Sequence, residues 1–250
     1  MKGTLMRILV LADIHSNLQA LEAVAADAET RGGWDAVWCL GDVVGYGPDP
    51  NACIAWLREQ QATVIAGNHD LACVGAIQLV DFNAWATASC QWTQTKLTPA
   101  SAAYLRALTK PPLVVGDFTL THGSLVDPVW EYTTTAQVAA ASMLRQTTPW
   151  CLVGHAHLPL SFGRPARGGD VTATALTEGV AITANGRRVL CNPGSVGQPR
   201  DGDPRAAYAV VDLAAGTLTP YRVGRRRGGS AAADAGGGTA GAAGEPTGCR

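Results

Sequence analysis

The chain has 250 residues and a formal net charge of −1 at pH 7, with 47% hydrophobic and 16% charged residues. This length suits one domain with a substantial core, and the composition is typical of a globular protein. A charge so near neutral argues against a basic surface for nucleic acid or acidic lipid. The apolar runs have strand length, well short of the roughly 20 residues that cross a membrane, so we expect no membrane association.

The seven cysteines are odd in number, and none forms a CxxC motif. Several lie inside apolar runs, which favours buried, reduced thiols and a cytoplasmic protein. The N-terminal run MRILVLADIHSN leads directly into Asp13 and His15 and has no small-residue cleavage site. We therefore interpret it as a first core strand rather than a signal peptide.

Short apolar runs alternate with helical patterns through the first part of the chain. MRILVLA, AVWCL and TVIA predict strands, and residues 17–30 and 51–60 predict helices between them. Nearly all-apolar strands in a β-α-β-α-β order indicate a parallel sheet covered on both faces. Residues 82–97 and 98–109 also have helical patterns, and the second begins with a Thr-Pro pair typical of a helix start.

The second half has mainly β runs separated by turns. LVVGDFTLTHG predicts two strands about a Gly116-Asp117 turn, a helix follows at about 134–146, and WCLVG predicts a further strand. From residue 160 onward the pattern favours mostly antiparallel pairing, with Asn185-Gly186 as a hairpin turn. The predicted fold class is α/β of the α+β type, in which two packed mixed sheets form a sandwich flanked by helices.

From Gly224 the sequence is rich in glycine, alanine and arginine and has no apolar periodicity. Such a composition cannot build a packed core, so residues 224–250 are predicted to be a disordered tail. Residues 1–223 are predicted to form a single domain.

All five histidines follow strand-like runs, in the turns LADIHS, AGNHD, LTHGS and VGHAH, and Asp42 has the same setting in WCLGD. Ligands of open α/β sheets bind at the carboxyl ends of strands. One such histidine alone is more often a packed or exposed imidazole, but five in one setting favour a metal cluster. Asp13 and His15 are two residues apart, as are His155 and His157, so each pair can point the same way from extended chain.

The ligand types narrow the choice of metal. The carboxylate of Asp42 has two oxygens and can reach two ions, and Asn68 offers a neutral oxygen. Mixed nitrogen and oxygen ligands suit Mn, Fe, Zn, Co or Ni better than a metal that prefers thiolates, and no cysteine lies in these motifs.

In this order, D-x-H, GD, GNHD, a lone histidine after a strand and GHxH resemble the calcineurin-like metallophosphoesterase superfamily, over about residues 7–213. GDVVGYGPDPNACI and NPGSVGQPRDGDPRAAYAVVD are similar to a bacterial subgroup of small phosphodiesterases and phosphatases, which includes some diadenosine-tetraphosphate hydrolases. The resemblance implies the metallophosphoesterase fold and a hydrolase that acts on phosphoric ester bonds.

The resemblance also implies a centre of two divalent transition-metal ions, with Mn²⁺ favoured. Its ligands would fall into two groups that share a bridging aspartate. The first ion would be held by Asp13, His15, Asp42 and His157, and the second by Asp42, Asn68, His122 and His155. The remaining histidine of the motifs, His69, would bind no metal but would stabilise the transition state and protonate the leaving oxygen. Asp70 would orient that ring.

The implied reaction is in-line attack by a metal-activated hydroxide on a small phosphodiester, nucleotide or dinucleoside polyphosphate. A protein phosphatase is the alternative enzyme, and a non-catalytic scaffold with the same fold is the alternative of another class. The complete ligand set and His69 disfavour the scaffold. The absence of a basic stripe weakens a nuclease assignment.

Three further residues are predicted to contact substrate. Asn17 would touch phosphate or cap the helix that follows it, and its position suits the cap better. Tyr46 would stack on substrate or pack its own loop, and Arg200 would reach the phosphate. The backbone of residues 194–197 would approach a phosphate or form a plain turn.

Three tryptophans carry open interpretations. Trp130, in a segment at 127–135 that is predicted to overhang the site, would stack on a base or bury area. Trp85 and Trp92 are seven residues apart and predict one apolar stripe, either core or a dimer face.

Overall fold

The computed structural model describes residues 6–165 and 167–224. Strands alternate with helices in the first part of the chain and dominate the rest. The strands in this part of the protein are β1 (Arg7–Leu11), β2 (Ala36–Cys39), β3 (Thr63–Val64), β4 (Leu113–Val115), β5 (Phe118–Thr121), β6 (Trp150–Val153), β7 (Leu160–Pro165), β8 (Thr172–Ala175), β9 (Ile182–Thr183), β10 (Arg187–Asn192), β11 (Ala206–Asp212) and β12 (Thr217–Val223). The helices are α1 (Leu18–Thr30), α2 (Pro50–Glu59), α3 (Asn68–Cys73), α4 (Ala84–Lys96), α5 (Pro99–Arg106) and α6 (Ala136–Arg145).

Side-chain caps mark where four of these helices begin. The residue before each of α1, α4, α5 and α6 accepts a hydrogen bond from a backbone N–H of the first turn; these caps are Asn17, Asn83, Thr98 and Thr135. Such a cap satisfies an N–H that has no partner within the helix. Local chemistry therefore sets these boundaries within two residues of the predicted ones.

Two six-stranded sheets form the body of the protein, in the orders β3-β2-β1-β11-β12-β9 and β4-β5-β6-β10-β7-β8. Strands β1, β2 and β3 are parallel, whereas β11 pairs with β1 antiparallel. In the second sheet β5, β6 and β10 are mutually parallel, so the expectation of mostly antiparallel pairing is only partly right. The predicted class, two mixed sheets flanked by helices, is confirmed.

The hairpin prediction at Asn185-Gly186 is wrong. Both residues have positive φ, 45° and 72°, and Arg187 N donates to Ala184 O at 2.8 Å, so the turn itself is tight. However, β9 pairs with β12 in the first sheet, while β10 pairs with β6 and β7 in the second. Turn residues determine the reversal of the chain, but the neighbouring strands determine which sheet each arm joins.

The sandwich has a core on both faces of each sheet. In β1, Ile8 and Val10 pack between the sheets, whereas Leu9 and Leu11 pack against the helical layer with α1 and α2. This alternation follows from the two-residue side-chain period of a strand. Helix α6 covers the far face of the second sheet, where Met143 packs on Phe162. Both sheets are thus covered by packed side chains.

The structure also bears on the predictions for the cysteines, for helix α4, for membrane spans and for the tail. The six cysteines of the described chain are buried and free, as predicted, and Cys249 lies outside it. Trp85 is 84% exposed, so the apolar stripe of α4 is not core. Among the described residues, no helix is long and apolar enough to span a membrane. The tail prediction falls on residues that, apart from Gly224, lie outside the described chain.

Candidate metal centre

The predicted site residues meet at one end of the sandwich, just beyond strands of both sheets. Asp13 and His15 follow β1, Asp42 follows β2, and Asn68 opens α3 directly after the β3 segment. On the second sheet His122 follows β5, and the VGHAH motif follows β6. The carboxyl ends of these parallel strands therefore converge, as the switch-point rule for open sheets predicts.

The side chains form two groups whose ligand atoms lie within 4.8 Å of one another, and every member is buried. The first group contains Asp13, His15, Asp42 and His157, and the second contains Asp42, His122 and His155. Asn68 joins the second group, with its Oδ1 3.1 Å from His122 Nε2.

Asp42 faces both groups with the same oxygen. Its Oδ2 lies 3.6 Å from His15 Nε2 and 3.4 Å from His122 Nε2. Its other oxygen, Oδ1, accepts a hydrogen bond from the backbone N–H of His69 at 2.9 Å. This second bond fixes the orientation of the carboxylate.

Four imidazoles in the two groups each form a hydrogen bond from one ring nitrogen to a backbone carbonyl oxygen. The pairs are His15 Nδ1 with Val44 O at 3.0 Å, His122 Nδ1 with Leu40 O at 2.8 Å, His157 Nδ1 with Gln198 O at 2.6 Å and His155 Nε2 with Trp130 O at 3.1 Å. A carbonyl only accepts, so the nitrogen facing it carries the proton. In a neutral ring the other nitrogen then presents a lone pair, the arrangement typical of metal-ligating histidines.

These lone pairs face other acceptors. His15 Nε2 and His157 Nε2 lie 3.1 Å apart, and each is the ring nitrogen that its carbonyl contact leaves unprotonated. In addition, Asp13 Oδ2 is buried without a hydrogen-bond partner among residues 6–165 and 167–224, although its Oδ1 accepts from His155 N. Clustered acceptors without donors repel one another, and burying a charge unpaired is costly. A cation at this point removes both penalties, so the residues fit a metal.

Burial and neighbouring charge shift the pKa values of the candidate ligands, and these shifts favour the metal-binding form of His155 and His157 but the protonated form of His122 and Asp13. Burial lowers the pKa of His155 and of His157 to about 3, which keeps both rings neutral. Burial opposes protonation of His122 as well, but the charge of Asp42 and a hydrogen bond to it raise the pKa to about 9. Burial also raises the pKa of Asp13 to about 7.

Strained backbone is concentrated at the candidate ligands. Five of them are non-glycine residues in the left-handed region, which costs about 1–3 kcal/mol per residue. They are Asp13 (φ 54°), His15 (φ 49°), Asp42 (φ 54°), His155 (φ 65°) and His157 (φ 57°). Hydrogen bonds between the loops, such as His15 N to Asp42 O at 2.9 Å, hold this conformation. The strain turns each side chain from its strand end into the cluster.

Glycine is required at Gly67, the first letter of GNHD. A Cβ there would lie 2.1 Å from Asp42 Oδ1 and 2.4 Å from Asp42 N. The backbone of this residue therefore packs directly on the carboxylate that both groups share.

His69 has a different environment from the other four histidines. Its Nδ1 lies 3.4 Å from the sulfur of Cys90, and no backbone carbonyl in the described part of the chain accepts a hydrogen bond from this ring. The ring is enclosed by Tyr46, Phe82 and His15, with centroids 4.7, 5.1 and 4.9 Å away. It is thus fixed in place beside the cluster without belonging to either group.

The expected contact between Asp70 and His69 is not the one observed. Asp70 Oδ1 accepts from Val44 N at 3.1 Å, and Oδ2 accepts from Gly67 N at 3.0 Å. Its carboxylate is committed to two backbone N–H groups because it lies in the first turn of α3, above the loop that follows β2. Asp70 therefore ties two loops of the site together.

Two adjoining cavities open over the centre. One of about 130 Å³ is lined by residues of both groups, His69 and Arg200, and by the aromatic side chains of Phe82 and Trp130. The other, of about 430 Å³, extends past His15 toward Asn17 and Gln198. Tyr46 lines both cavities and forms the partition between them.

The side chains predicted to contact substrate differ in how many hydrogen bonds they already make within the protein. Asn17 Oδ1 accepts from Ala20 N as the cap of α1, and its Nδ2 donates to Gly197 O at 3.1 Å. Both ends of this amide therefore serve the fold, as the cap interpretation expected. The guanidinium of Arg200 is exposed at the mouth of the smaller cavity and, within the described residues, donates to Gln198 Oε1 alone, at 2.9 Å.

The contacts of the loop at residues 194–197 favour a plain turn over a backbone that approaches a phosphate. Gly194 N donates to Asn192 Oδ1 at 2.8 Å, while Val196 N and Gly197 N donate to Ala12 O and Asp13 O. The hydroxyl of Ser195 also donates to Asp13 O. These donors hold the Asp13 backbone, so the loop fixes a candidate ligand rather than presenting a phosphate cradle.

Sequence reasoning missed part of the cavity wall. Phe82 stands edge-on to Trp130 at 5.0 Å between centroids, and Tyr132 stacks on His155 at 4.1 Å. Trp130 and Tyr132, in the segment predicted to overhang the site, line the smaller cavity. Neither Phe82 nor Cys90 lies in a recognisable motif, so the sequence carried no signal for their contacts with His69.

Comparison with known proteins agrees with this geometry. The family model for the calcineurin-like phosphoesterase superfamily domain matches residues 6–216. The chain belongs to this superfamily. A crystal structure of a metallophosphoesterase from Sphaerobacter thermophilus superposes with a TM-score of 0.79 at 41% identity, over 89% of this chain and 90% of that one. An uncharacterized protein of Methanocaldococcus jannaschii is 34% identical over 82% of both chains.

Two shorter matches are to proteins named as a tetraphosphatase and a phosphatase. A symmetrical bis(5'-nucleosyl)-tetraphosphatase of Chromohalobacter salexigens is 33% identical over 52% of this chain and 47% of its own. Serine/threonine-protein phosphatase 1 of Salmonella typhimurium is 30% identical over 40% of this chain and 46% of its own. The protein is accordingly a hydrolase of phosphoric ester bonds, from a metal-dependent family that acts on small phosphate esters.

Proposed function

We propose that this protein is a binuclear metal-dependent phosphoesterase whose substrate is a small phosphodiester, with a dinucleoside polyphosphate as the favoured class. One observation carries the binuclear assignment. A single oxygen of Asp42 faces both ligand groups, 3.6 Å from His15 Nε2 and 3.4 Å from His122 Nε2. A carboxylate placed between two sets of ligand atoms is suited to bridge two cations.

The residues that would hold the ions are the two groups described above, with Asn68 in the second. Divalent ions bound there supply Lewis acidity toward phosphoryl oxygen and make water more acidic. Asp13 and Asp42 are the carboxylates of the two groups, so they offset only half of the charge of two such ions. The centre keeps a net positive charge, which attracts a phosphate.

The chain's own groups complete the chemistry from the cavity side. His69 lines the smaller cavity with its Nδ1 turned toward Cys90, which leaves Nε2 toward the substrate space. Protonated there, it donates its proton to the oxygen that leaves phosphorus, and it regains a proton from solvent afterwards. Arg200, at the mouth, pairs with a phosphate oxygen.

The shape of the site favours a substrate with a group on each side of phosphorus. Tyr46 separates cavities of about 130 and 430 Å³, and both reach the candidate ligands. Small enclosed sites lined by aromatic residues and a few polar groups are typical of small-molecule binding. The similarity to a bis(5'-nucleosyl)-tetraphosphatase supports the dinucleoside class. A folded protein substrate fits these cavities poorly, which disfavours the phosphatase alternative despite the shorter match to such an enzyme.

Reconstitution tests this function. Protein stripped with a chelator and reloaded with Mn²⁺ should bind two ions per chain and hydrolyse bis-p-nitrophenyl phosphate and diadenosine tetraphosphate, with no turnover before reloading. Monoester hydrolysis alone would replace the diester assignment by a phosphatase. Two bound ions without turnover of any of these substrates would support the scaffold. One ion per chain at saturation would contradict the binuclear centre.

A further inference from the structure

Helix α4 carries a thiol directly beside the histidine that the proposed function uses as proton donor. Cys90 is fully buried, and its Sγ lies 3.4 Å from His69 Nδ1, within hydrogen-bonding distance for sulfur. An imidazole that acts through one nitrogen is normally held at the other by a partner that fixes its orientation. Asp70, the residue expected in that role, is bonded to Val44 N and Gly67 N.

We propose that Cys90 is the positioning residue of this enzyme, which holds His69 at Nδ1 so that Nε2 faces the scissile group. This inference rests on the proposed function of His69. The thiol either donates S–H to Nδ1 of a neutral ring or, as thiolate, accepts N–H from a charged ring. In both arrangements Nε2 carries the proton, which is the state that a donor to the leaving oxygen requires.

The surrounding contacts leave the sulfur as the partner of Nδ1. A Cβ at Gly45 would lie only 2.5 Å from that nitrogen, so the loop after Asp42 passes too close for any side chain to intervene. The aromatic neighbours of the ring, Tyr46 and Phe82, restrict its tilt but offer no partner to Nδ1 in the part of the chain that the structure covers.

Helix α4 supports the cavity through two consecutive residues. Ser89 Oγ accepts a hydrogen bond from Tyr46 N, and Cys90 contacts His69. The helix thereby fixes both the partition between the cavities and the candidate acid.

A second thiol, that of Cys73, contacts the backbone of Cys90. Cys73, at the end of α3, donates its S–H to the backbone oxygen of Cys90 at 3.9 Å.

The test compares substitutions that separate packing from hydrogen bonding. Cys90→Val fills the site with apolar atoms and removes the bond, Cys90→Ser keeps a polar atom for Nδ1, and Cys53→Ala removes a buried thiol of α2 in the same core. We expect Cys90→Val to lower kcat by roughly 10- to 100-fold with KM and metal content unchanged. We expect Cys90→Ser to restore most of kcat and Cys53→Ala to match the parent enzyme.

An NMR spectrum of the His69 imidazole tests the same contact without an activity measurement. In ¹⁵N-labelled, metal-free protein, with the His69 signals assigned by their loss in His69→Asn, we expect the ring to carry its proton at Nε2. Cys90→Val should shift the ring toward a mixture of tautomers, and Cys90→Ser should not. Equal kcat in Cys90→Val and Cys53→Ala, or a His69 ring unaffected by Cys90→Val, would overturn the proposal. If the enzyme turns over no substrate offered, the proposed function fails, and the ring signals alone decide the role of Cys90.

Discussion

The Oδ2 atom of Asp42 lies 3.4 Å from His122 Nε2, across the boundary between the two sheets. Asp42 follows a strand of the first sheet and His122 follows a strand of the second. The candidate centre therefore depends on the packing of the sandwich as well as on its motifs. Any substitution that moves one sheet end against the other changes the distance between ligands.

The shared position of Asp42 predicts a loss of both ions on its substitution. Asp42→Asn should bind less than one Mn²⁺ per chain and lose activity, because the amide supplies one neutral oxygen and cannot balance two cations. Asp13→Asn, which alters one group only, should retain a single tightly bound ion. Metal content by mass spectrometry checks both, and Asp117→Asn, on the exposed β4–β5 turn, is the matched control. Full occupancy in Asp42→Asn would exclude bridging.

His69 is expected to separate catalysis from metal binding. His69→Ala should keep the metal content of the parent and lower kcat by roughly 10²–10⁴, the range for loss of a positioned acid or base. The loss should be smaller for substrates with p-nitrophenol as leaving group, because that group departs without a proton. A variant that purifies without metal would place His69 among the ligands.

Metal affinity should fall as the pH is lowered. The pKa of Asp13 is raised from 3.8 to about 7 by burial, so below pH 7 the metal-free protein holds a proton that an incoming ion must displace. His122, whose pKa is about 9, holds another. Affinity for Mn²⁺ should therefore decrease by at least about tenfold per pH unit between pH 7 and pH 6.

Titration calorimetry in two buffers of different ionisation enthalpy checks this dependence, because it counts the protons released. Affinity falls toward low pH because the pKa of Asp13 is raised. A carboxyl group with a raised pKa is neutral over more of the pH range, and it binds a cation only when it is ionised. An affinity that stays constant between pH 6 and pH 7, with no proton release, would contradict the assignment of these groups as ligands.

The glycine of GNHD predicts a sharp steric effect. Gly67→Ala places a Cβ 2.1 Å from Asp42 Oδ1, so the carboxylate must move and both ligand groups lose their shared member. We expect loss of metal and of activity in protein that still folds. Gly163→Ala in β7, whose Cβ would meet only Thr172 Oγ1 at 3.9 Å, is the control. Retention of both ions in Gly67→Ala would show that the carboxylate tolerates the displacement.

Local sequence determined the elements and the candidate set of ligands. Caps such as Asn17 and Thr98 define helix starts through hydrogen bonds to residues three positions away. Apolar runs define β1 and β2, and the motifs that end these strands place Asp13 and Asp42 at one edge of the sheet. These features depend on near neighbours in the chain, which is why spacing and residue type were sufficient to predict them.

Tertiary structure alone decided how those residues act. The carbonyls that select each histidine's free nitrogen come from distant segments; His122 pairs with Leu40, 82 residues away. The same holds for Cys90 beside His69, for Asp70 on two backbone donors, and for the β9 and β10 strands in different sheets. Such contacts arise only when separate loops pack together, and no local propensity records which atoms then meet.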